Sequence, residues 1–421
     1  MPAKARRSSK RRRIGLALAG GGPEGAVYEI GALRALDEAL DGLNLHELDI
    51  YVGVSAGAFI ASSLANDLTT TQMVRALVKH EAGEHPFVPQ TFFTPNYREW
   101  AKRSLMLPRL FADAMLEFRR GPEEQTLFES LTKMARALPV GLFDNEPIRR
   151  YLERTFSIKG RSDDFRELRQ RLIVVATDLE SGRPILFGGE GWDHIPISTA
   201  VQASTAVPGF YPPVRVEGRY CVDGILLKTL HASVALKEGV DLLLCVNPLV
   251  PADLRDAVSA GQLKEGAILK KGLATVLSQT MRTLINSRLE VGMREYQTRF
   301  PDSEVLLFQP ERNEFDLFFS NIFSFRSRRR VCELAYDATR RNLRARRKTI
   351  GPMLAPYGIT LREDILDSPR DIWTSVGLDQ FSERDPVTSQ FSTALDQFEV
   401  AVTSEMPVAP ASTRRARGAR R

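Results

Sequence analysis

Residues 14–25 read IGLALAGGGPEG, and this stretch decides the fold. The short apolar run at 14–19 predicts a buried strand. From residue 25 to about 40, apolar residues recur at helical spacing, at Val27, Ile30, Leu33, Leu36 and Leu40. The three glycines between these elements predict a tight loop whose backbone closely approaches a neighbouring group.

The glycine loop has two interpretations. The spacing of Gly20, Gly22 and Gly25 fits the dinucleotide fingerprint G-x-G-x-x-G. That fingerprint also expects an acidic residue about 20 residues further on, at the end of the second strand. The loop equally offers unobstructed N–H groups at a helix N-terminus, which suit a developing oxyanion in acyl transfer.

The second predicted strand, residues 49–54, runs into the sequence GVSAG at 53–57. Ser55 therefore lies between a strand and the small apolar helix predicted over 56–64. This is the context of a nucleophile elbow, the strand-to-helix turn that exposes a serine hydroxyl at the edge of a sheet. The alternative is a plain turn with a serine N-cap. A serine where a dinucleotide site needs an acid favours acyl transfer.

A serine nucleophile needs a base. The five histidines are His46, His80, His85, His194 and His231. None lies in a convincing strand-end loop, which disfavours a histidine triad. Asp223 ends a short predicted strand at 220–222 and precedes Gly224. An aspartate within hydrogen-bond reach can act as the general base, and partial burial would raise its pKa. The alternative is an ordinary Asp-Gly turn.

Further strands are predicted at 172–177, 184–187, 242–246 and 304–308. One helix is predicted to begin near Asn145. A long one covers about 263–299, with an apolar stripe formed by Leu269, Leu273, Val276, Leu277, Met281, Leu284 and Ile285. The alternation of strands and helices predicts a layered α/β domain with a parallel sheet.

The net charge of +6 comes from the two ends of the chain. Residues 1–13 carry seven Lys or Arg and residues 413–421 carry five Arg, with no acid in either segment. Without these twelve charges the remaining chain stands at −6. Such tails solubilise a protein or contact anionic lipid or nucleic acid. No zinc-ligand spacing or nucleic-acid fold motif indicates specific nucleic-acid recognition.

The three scattered cysteines favour a reducing compartment. No apolar run approaches the roughly 20 residues that span a bilayer. The basic segment before residue 14 resembles a signal peptide, and Arg12-Arg13 faintly resembles a twin-arginine signal. The apolar run is short and lacks a clear cleavage site, which favours a buried strand. We expect a cytoplasmic protein whose tails contact anionic membranes peripherally.

Three motifs together resemble those of the patatin-like phospholipases. That family carries G-G-G-x-[RK]-G, G-x-S-x-G and D-G-[GA]; here they correspond to residues 20–25, 53–57 and 223–225. The stretches VVATDLESGRPILF at 174–187 and ASTAVPGFYPPV at 203–214 also resemble the family. The resemblance covers about residues 14–310.

The resemblance implies a three-layer α/β/α fold and a Ser–Asp dyad that needs no histidine, metal or cofactor. Ser55 would be the nucleophile and Asp223 the proton acceptor. The amides of Gly20, Gly21 and Gly22 would form the oxyanion hole. The supporting motif glycines would be Gly25, Gly53, Gly57 and Gly224. The implied function is a serine lipid acyl hydrolase acting on a lipid or acyl ester.

The domain organisation follows from the same resemblance. We expect a disordered basic tail at 1–13 and an acyl hydrolase domain at 14–310. Within it, residues 86–138 form a helical insertion, which is either an ordinary packed helix or a cap that meets lipid. A helical extension at 311–355 and a weakly structured region with a basic tail at 356–421 complete the chain.

Two positions depart from the family pattern. Ile225 stands where Gly or Ala is usual, and Glu24 stands where Arg or Lys is usual. A carboxylate suits the first turn of a helix, as does Pro23, so the family's cation at position 24 serves function. We expect either a hydrolase shifted toward neutral acyl esters or a catalytically weakened lipid-binding or regulatory protein on the same fold.

Overall fold

A computed structural model describes residues 11–78, 92–109, 112, 137–259, 261, 263–312, 314 and 325–378. Residues 1–376 form one compact unit and 377–421 a second, of which 377 and 378 are described. The carboxy-terminal basic tail, most of the amino-terminal tail, His80 and His85 lie outside the described residues.

The described strands are Ile14–Leu18 (β1), Leu40–Asp41 (β2), Ile50–Val54 (β3), Thr94–Pro95 (β4), Phe143–Asp144 (β5), Arg171–Asp178 (β6), Pro184–Phe187 (β7), Val214–Val216 (β8), Arg219–Asp223 (β9), Leu242–Val246 (β10), Glu304–Phe308 (β11) and Thr360–Leu361 (β12). The described helices are Gly22–Ala39 (α1), Ala56–Ala65 (α2), Thr70–Val78 (α3), Tyr97–Ser104 (α4), Glu146–Phe156 (α5), Ile197–Ser204 (α6), Ala232–Lys237 (α7), Leu254–Ser259 (α8), Ala267–Lys270 (α9), Leu273–Arg299 (α10), Phe325–Leu354 (α11), Glu363–Asp367 (α12) and Ile372–Ser375 (α13).

The central sheet has the strand order β11-β10-β1-β3-β6-β9-β8, and β7 also pairs with β6. The strands from β11 to β6 run parallel, and β7, β8 and β9 are antiparallel to their neighbours. The strand β1 lies in the middle, with Leu18 in register with Val246 on one side and Gly53 on the other. The predicted mostly parallel sheet is confirmed.

Helices cover both faces of this sheet. On one face, Ala17 and Ala19 belong to a core cluster that includes Leu236 of α7 and Leu289 of α10. On the other face, α2 lies so close to β3 that a Cβ on Gly53 would be 2.4 Å from the Ala58 Cα. Alternating strand residues thus face different helix layers, and the predicted α/β fold with helices on both faces is confirmed.

The carboxy-terminal helix α11 packs on α1. A Cβ on Gly31 would be 2.3 Å from the Cys332 carbonyl oxygen, so the backbones of these two helices come into close contact. Next to this contact, buried Glu38 accepts from the Tyr336 hydroxyl and pairs with Arg370 at 2.8 Å. Arg370, beyond residue 356, therefore contacts α1.

Three regions refine the sequence-based expectations. The helix predicted over 263–299 is divided at Gly272, whose φ of 82° breaks it into α9 and α10. Most of the predicted apolar stripe faces solvent, and only Ile285 of the seven residues in it is buried. In the described part of the 86–138 insertion, α4 has no buried residue. No helix among the described residues is long and apolar enough to cross a membrane.

Candidate active site

Ser55 occupies a strained turn between β3 and α2. Its φ of 54° and ψ of −122° are rarely adopted by a residue with a side chain, and they match the sharp turn of a nucleophile elbow. The side chain makes no capping hydrogen bond to α2, so the plain N-cap interpretation is not supported. Strain of this kind persists only where the surrounding structure imposes it, and it clusters at functional sites.

Ser204 of α6 holds the elbow in place. The Ser55 N–H donates to the Ser204 Oγ at 2.8 Å, and that hydroxyl donates to the Val175 carbonyl oxygen at 2.6 Å. The elbow is therefore tied to β6 through a buried serine. The sequence pointed to the stretch around 203–214 only through the family resemblance, and the role of Ser204 was not predicted.

The glycine loop lies directly against the elbow. A Cβ on Gly20 would be 3.0 Å from the Ser55 Cβ and 2.8 Å from the Ile225 Cδ1. A Cβ on Gly21 would be 2.6 Å from the Pro248 Cγ. Gly22 opens α1 at a φ of 61°, which glycine adopts without strain. The structure thus brings the predicted loop, Ser55 and the 223–225 motif together around Gly20.

The supporting glycines mark close backbone approaches around the same point. Gly57 is the clearest, since a Cβ there would be 2.5 Å from the Leu18 carbonyl carbon and oxygen. Its N–H donates to the Ala19 carbonyl oxygen at 3.1 Å, which joins the start of α2 to the end of β1. The other positions with a contact of 3.0 Å or less for an added Cβ are Gly25, Gly53 and Gly224.

Asp223 is the last residue of β9 and is fully buried. Its N–H donates to the Ala206 carbonyl oxygen at 3.0 Å, and its Oδ1 accepts from the Ile225 N–H at 2.9 Å. Burial raises the pKa of the carboxyl group to about 7, while hydrogen bonding from Ser55 and Ile225 lowers it. The environment thus produces a carboxylate that is basic near neutral pH.

The second carboxylate oxygen of Asp223 is buried without an aligned donor. Among the described residues, Oδ2 has no partner that meets hydrogen-bond geometry, although the Ser55 hydroxyl is near enough to lower the pKa. Serine and base are often imperfectly aligned before substrate binds. The arrangement can pass a proton from Ser55 to Asp223 after a small rotation of the hydroxyl.

The described histidines take other positions. His231 caps α7, and its Nε2 lies 3.1 Å from the Gly224 carbonyl oxygen. Burial lowers its pKa to about 4, so the neutral imidazole donates to that oxygen and fixes the turn after Asp223. His194 pairs with Glu217 at the surface. These two histidines thus have partners other than Ser55, and the absence of a histidine triad remains a prediction.

Glu24 does not face the loop as an isolated charge. Its Oε2 lies 3.8 Å from the Nη2 of Arg282 on α10, and both side chains are largely buried, at 20% and 14% exposed. Burial lowers the pKa of Arg282 and the Glu24 carboxylate raises it. A cation is therefore present beside position 24, supplied by a distant part of the chain.

Comparison with known proteins identifies the family of this chain. The model of the patatin-like phospholipase family matches residues 16–236, which is more than half of the chain.

Within the described residues, no group of three or more His, Cys, Asp or Glu side chains is arranged to hold a metal.

Several solved structures are similar to this chain at low identity. VipD from Legionella pneumophila is 16% identical, with a TM-score of 0.35 over 80% of this chain and 67% of its own. Human GIVD cytosolic phospholipase A2 is 13% identical, with a TM-score of 0.32 over 80% of this chain and 59% of its own. The ExoU–SpcU complex from Pseudomonas aeruginosa is 15% identical, with a TM-score of 0.30 over 94% of this chain and 61% of the matched chain.

The chain thus spans about two thirds of VipD and about three fifths of the other two chains. The family resemblance drawn from the three motifs is confirmed by the family match, which includes the glycine loop, the serine elbow and Asp223. With residues 16–236 matched, the chain belongs to the patatin-like phospholipase family.

Proposed function

We propose that the protein is a serine lipid acyl hydrolase in which Ser55 is the nucleophile and Asp223 the general base. The observation that carries this proposal is the placement of a strained serine beside a fully buried carboxyl group whose pKa is about 7. Membership of the patatin-like phospholipase family supports a lipid ester as the substrate.

In the proposed reaction, the Ser55 Oγ attacks the ester carbonyl carbon as its proton passes to the Asp223 Oδ2. The negative charge that develops on the carbonyl oxygen is held by N–H groups of Gly20, Gly21 and Gly22. Collapse of the tetrahedral intermediate breaks the ester C–O bond, and Asp223 returns the proton to the leaving alcohol. Water, deprotonated by Asp223, then attacks the acyl-enzyme carbonyl carbon. The Oγ–acyl bond breaks, Asp223 returns the proton to the Ser55 Oγ, and the fatty acid is released.

The environment of Asp223 suits this role. A general base works best when its pKa lies near the working pH, because it is then both ionised and basic enough to take a proton. An exposed aspartate has a pKa near 4 and would be a weaker base. The buried site supplies the required rise, and Oδ1 is engaged by the Ile225 N–H, which leaves Oδ2 for Ser55.

A lipid-panel assay tests the proposal. Fatty-acid release from phosphatidylglycerol, phosphatidylcholine, a diacylglycerol and a short-chain soluble ester is measured for the wild type and for Ser55→Ala. We expect turnover on at least one lipid, and a fall to the uncatalysed background in the variant. A folded wild-type protein that binds the lipids without hydrolysing any of them would overturn the proposal and favour the lipid-binding alternative.

A further inference from the structure

Helix α10 is apolar on two sides, and only one of them is packed. Ile285, Leu289 and Tyr296 are buried. A second set is 42% to 73% exposed, and we call it the apolar row: Leu273, Leu277, Met281, Leu284 and Val291. At 3.6 residues per turn these five side chains fall within a strip roughly 80° wide. The row thus lies on one face of the helix, and Arg288 falls on the same face between Leu284 and Val291.

An exposed apolar face of this length indicates contact with lipid or with another protein. Isolated apolar side chains at a protein surface are ordinary, whereas contiguous patches are uncommon on soluble monomers. The row has the periodicity of a helix face that is buried against another surface when the protein functions.

The charges around the row favour an anionic surface. Residues 266–291 contain Lys270, Lys271, Arg282 and Arg288 and a single acidic residue, Glu290, which pairs with Arg312 at 2.9 Å, although the chain without its basic ends is acidic overall. Lys270, Lys271 and Arg288 are exposed. An apolar strip bordered by basic residues is the pattern of helices that lie at the boundary of acyl chains and anionic headgroups.

Two arginines of α10 contact the candidate active site. Arg282 pairs with Glu24 beside the glycine loop. The Arg288 Nη1 donates to the Leu226 carbonyl oxygen at 2.7 Å, three residues after Asp223. Met281 is adjacent to Arg282, and Leu284 lies one helical turn before Arg288, which places this part of the row near the rim of the site.

We propose that the apolar row is the surface by which the protein docks on a lipid bilayer that contains anionic headgroups. The row enters the headgroup–acyl boundary, and the neighbouring basic side chains contact lipid phosphates. This inference rests on the proposed function, because the docking would present the Ser55 site to lipid esters at the membrane surface.

Vesicle co-sedimentation of the full chain tests the proposal in a Ser55→Ala background. Vesicles of phosphatidylcholine with and without phosphatidylglycerol are compared. We expect Leu273→Glu/Leu277→Glu to weaken binding to the mixed vesicles by about tenfold or more, because two apolar contacts are lost. The matched control, Ile158→Glu/Leu179→Glu, has the same change in charge at two exposed positions outside the row and should bind as the parent does.

A fluorescence measurement covers the case in which the double variant folds poorly. All three native cysteines are buried, so Leu277→Cys can be labelled selectively with an environment-sensitive dye. We expect its emission to shift to shorter wavelength with mixed vesicles, and we expect no shift for dye at Leu179→Cys. Because neither readout needs turnover, loss of docking and loss of catalysis are distinguishable.

Equal binding by the row variant and its control, or an unresponsive dye at position 277, would overturn the proposal. Light scattering provides a further test, since a second copy of the chain could cover the row instead. A dimer that the Leu273→Glu/Leu277→Glu change dissociates, with vesicle binding unaltered, would also overturn it.

Discussion

Ser55 and Asp223 reach the same point of the sheet from opposite sides of β6. Val54, just before the serine, pairs with Val175, and Asp223 pairs with the next residue, Ala176. Two strand spacings, or about 10 Å, separate β3 from β9. The turn at Ser55, just beyond the end of β3, brings its hydroxyl close enough to Asp223 to lower the pKa of the carboxyl group. Cys221, two positions before Asp223 in β9, pairs with Asp178 instead, so a carboxylate at that position would not lie level with Ser55.

The first prediction concerns the pH dependence of activity. Because the pKa of Asp223 is raised to about 7, the base is protonated below that pH. We expect kcat/KM for a soluble ester to rise tenfold per pH unit on the acid side and to level off above neutral pH. The measurement is a pH–rate profile from pH 5 to pH 9. A profile that is flat from pH 5 upward would exclude Asp223 as the titrating base.

Because its pKa is raised, ionised Asp223 should lower the free energy of unfolding. Between its ordinary value of 3.8 and about 7, the folded protein holds a proton at Asp223 that the unfolded chain releases. Stability therefore falls as pH rises through this window. We expect Asp223→Asn to unfold at higher denaturant than wild type, with a difference that grows to at most roughly 4 kcal/mol above pH 7.

Chemical denaturation at pH 5, 6, 7 and 8 measures this difference. Other buried groups, such as Glu29, titrate equally in both proteins, so their contributions cancel. A stability difference that does not vary with pH would show that Asp223 is charged in both the folded and unfolded states. Asp223→Asn should at the same time lose ester hydrolysis.

The pair Glu24–Arg282 should be coupled in both stability and substrate choice. A double-mutant cycle with Glu24→Gln and Arg282→Gln is expected to give a coupling of about 1–2 kcal/mol, as neighbouring charges of limited exposure do. Glu24→Gln leaves the arginine beside the glycine loop without this carboxylate. We therefore expect it to increase hydrolysis of phosphatidylglycerol relative to diacylglycerol several-fold.

Denaturant midpoints and initial rates on the two lipids measure these effects. The two single variants control for loss of either side chain alone. Additive changes in stability would contradict an interaction between the two residues. Equal rates on both lipids, unchanged in Glu24→Gln and in Glu24→Arg, would contradict the inference that this pair sets charge preference.

Two glycine substitutions should differ sharply. In Gly57→Ala the new methyl group meets the fixed backbone of Leu18 and Ala19, so we expect a loss of about 3 kcal/mol or more. In Gly22→Ala the methyl group enters open space, and only the positive φ is unfavourable, at about 1–2 kcal/mol. Thermal or chemical denaturation measures both. A Gly57→Ala protein as stable as Gly22→Ala would contradict the close contact of α2 with β1.

Much of the fold could be predicted because its strands are short apolar runs bounded by glycine or polar residues. The strands Leu242–Val246 and Glu304–Phe308 begin and end where the sequence predicted. The candidate site was accessible for a related reason. Its nucleophile and glycine loop belong to local motifs, each with a strand before it and a helix after it. The predicted domain boundaries, including 14–310 and 311–355, remain predictions.

The remainder depends on contacts between residues far apart in the chain. Arg282 pairs with Glu24 across 258 positions, and Ser204 supports Ser55 across 149. No local pattern contains such information. Helical periodicity also fixes the spacing of apolar residues without showing which side of α10 meets the core. The break at Gly272 was missed because glycine within a helix costs only about 1 kcal/mol and does not by itself end it.

The most direct test of the Ser55–Asp223 account is covalent labelling with a fluorophosphonate ester, followed by peptide mapping. Ser204→Ala is the matched control, because that serine is buried beside Ser55 and has a structural role. The account predicts one adduct, on Ser55, that is lost in Ser55→Ala, strongly slowed in Asp223→Asn and retained in Ser204→Ala. An adduct on another residue, or undiminished labelling of folded Ser55→Ala, would contradict it.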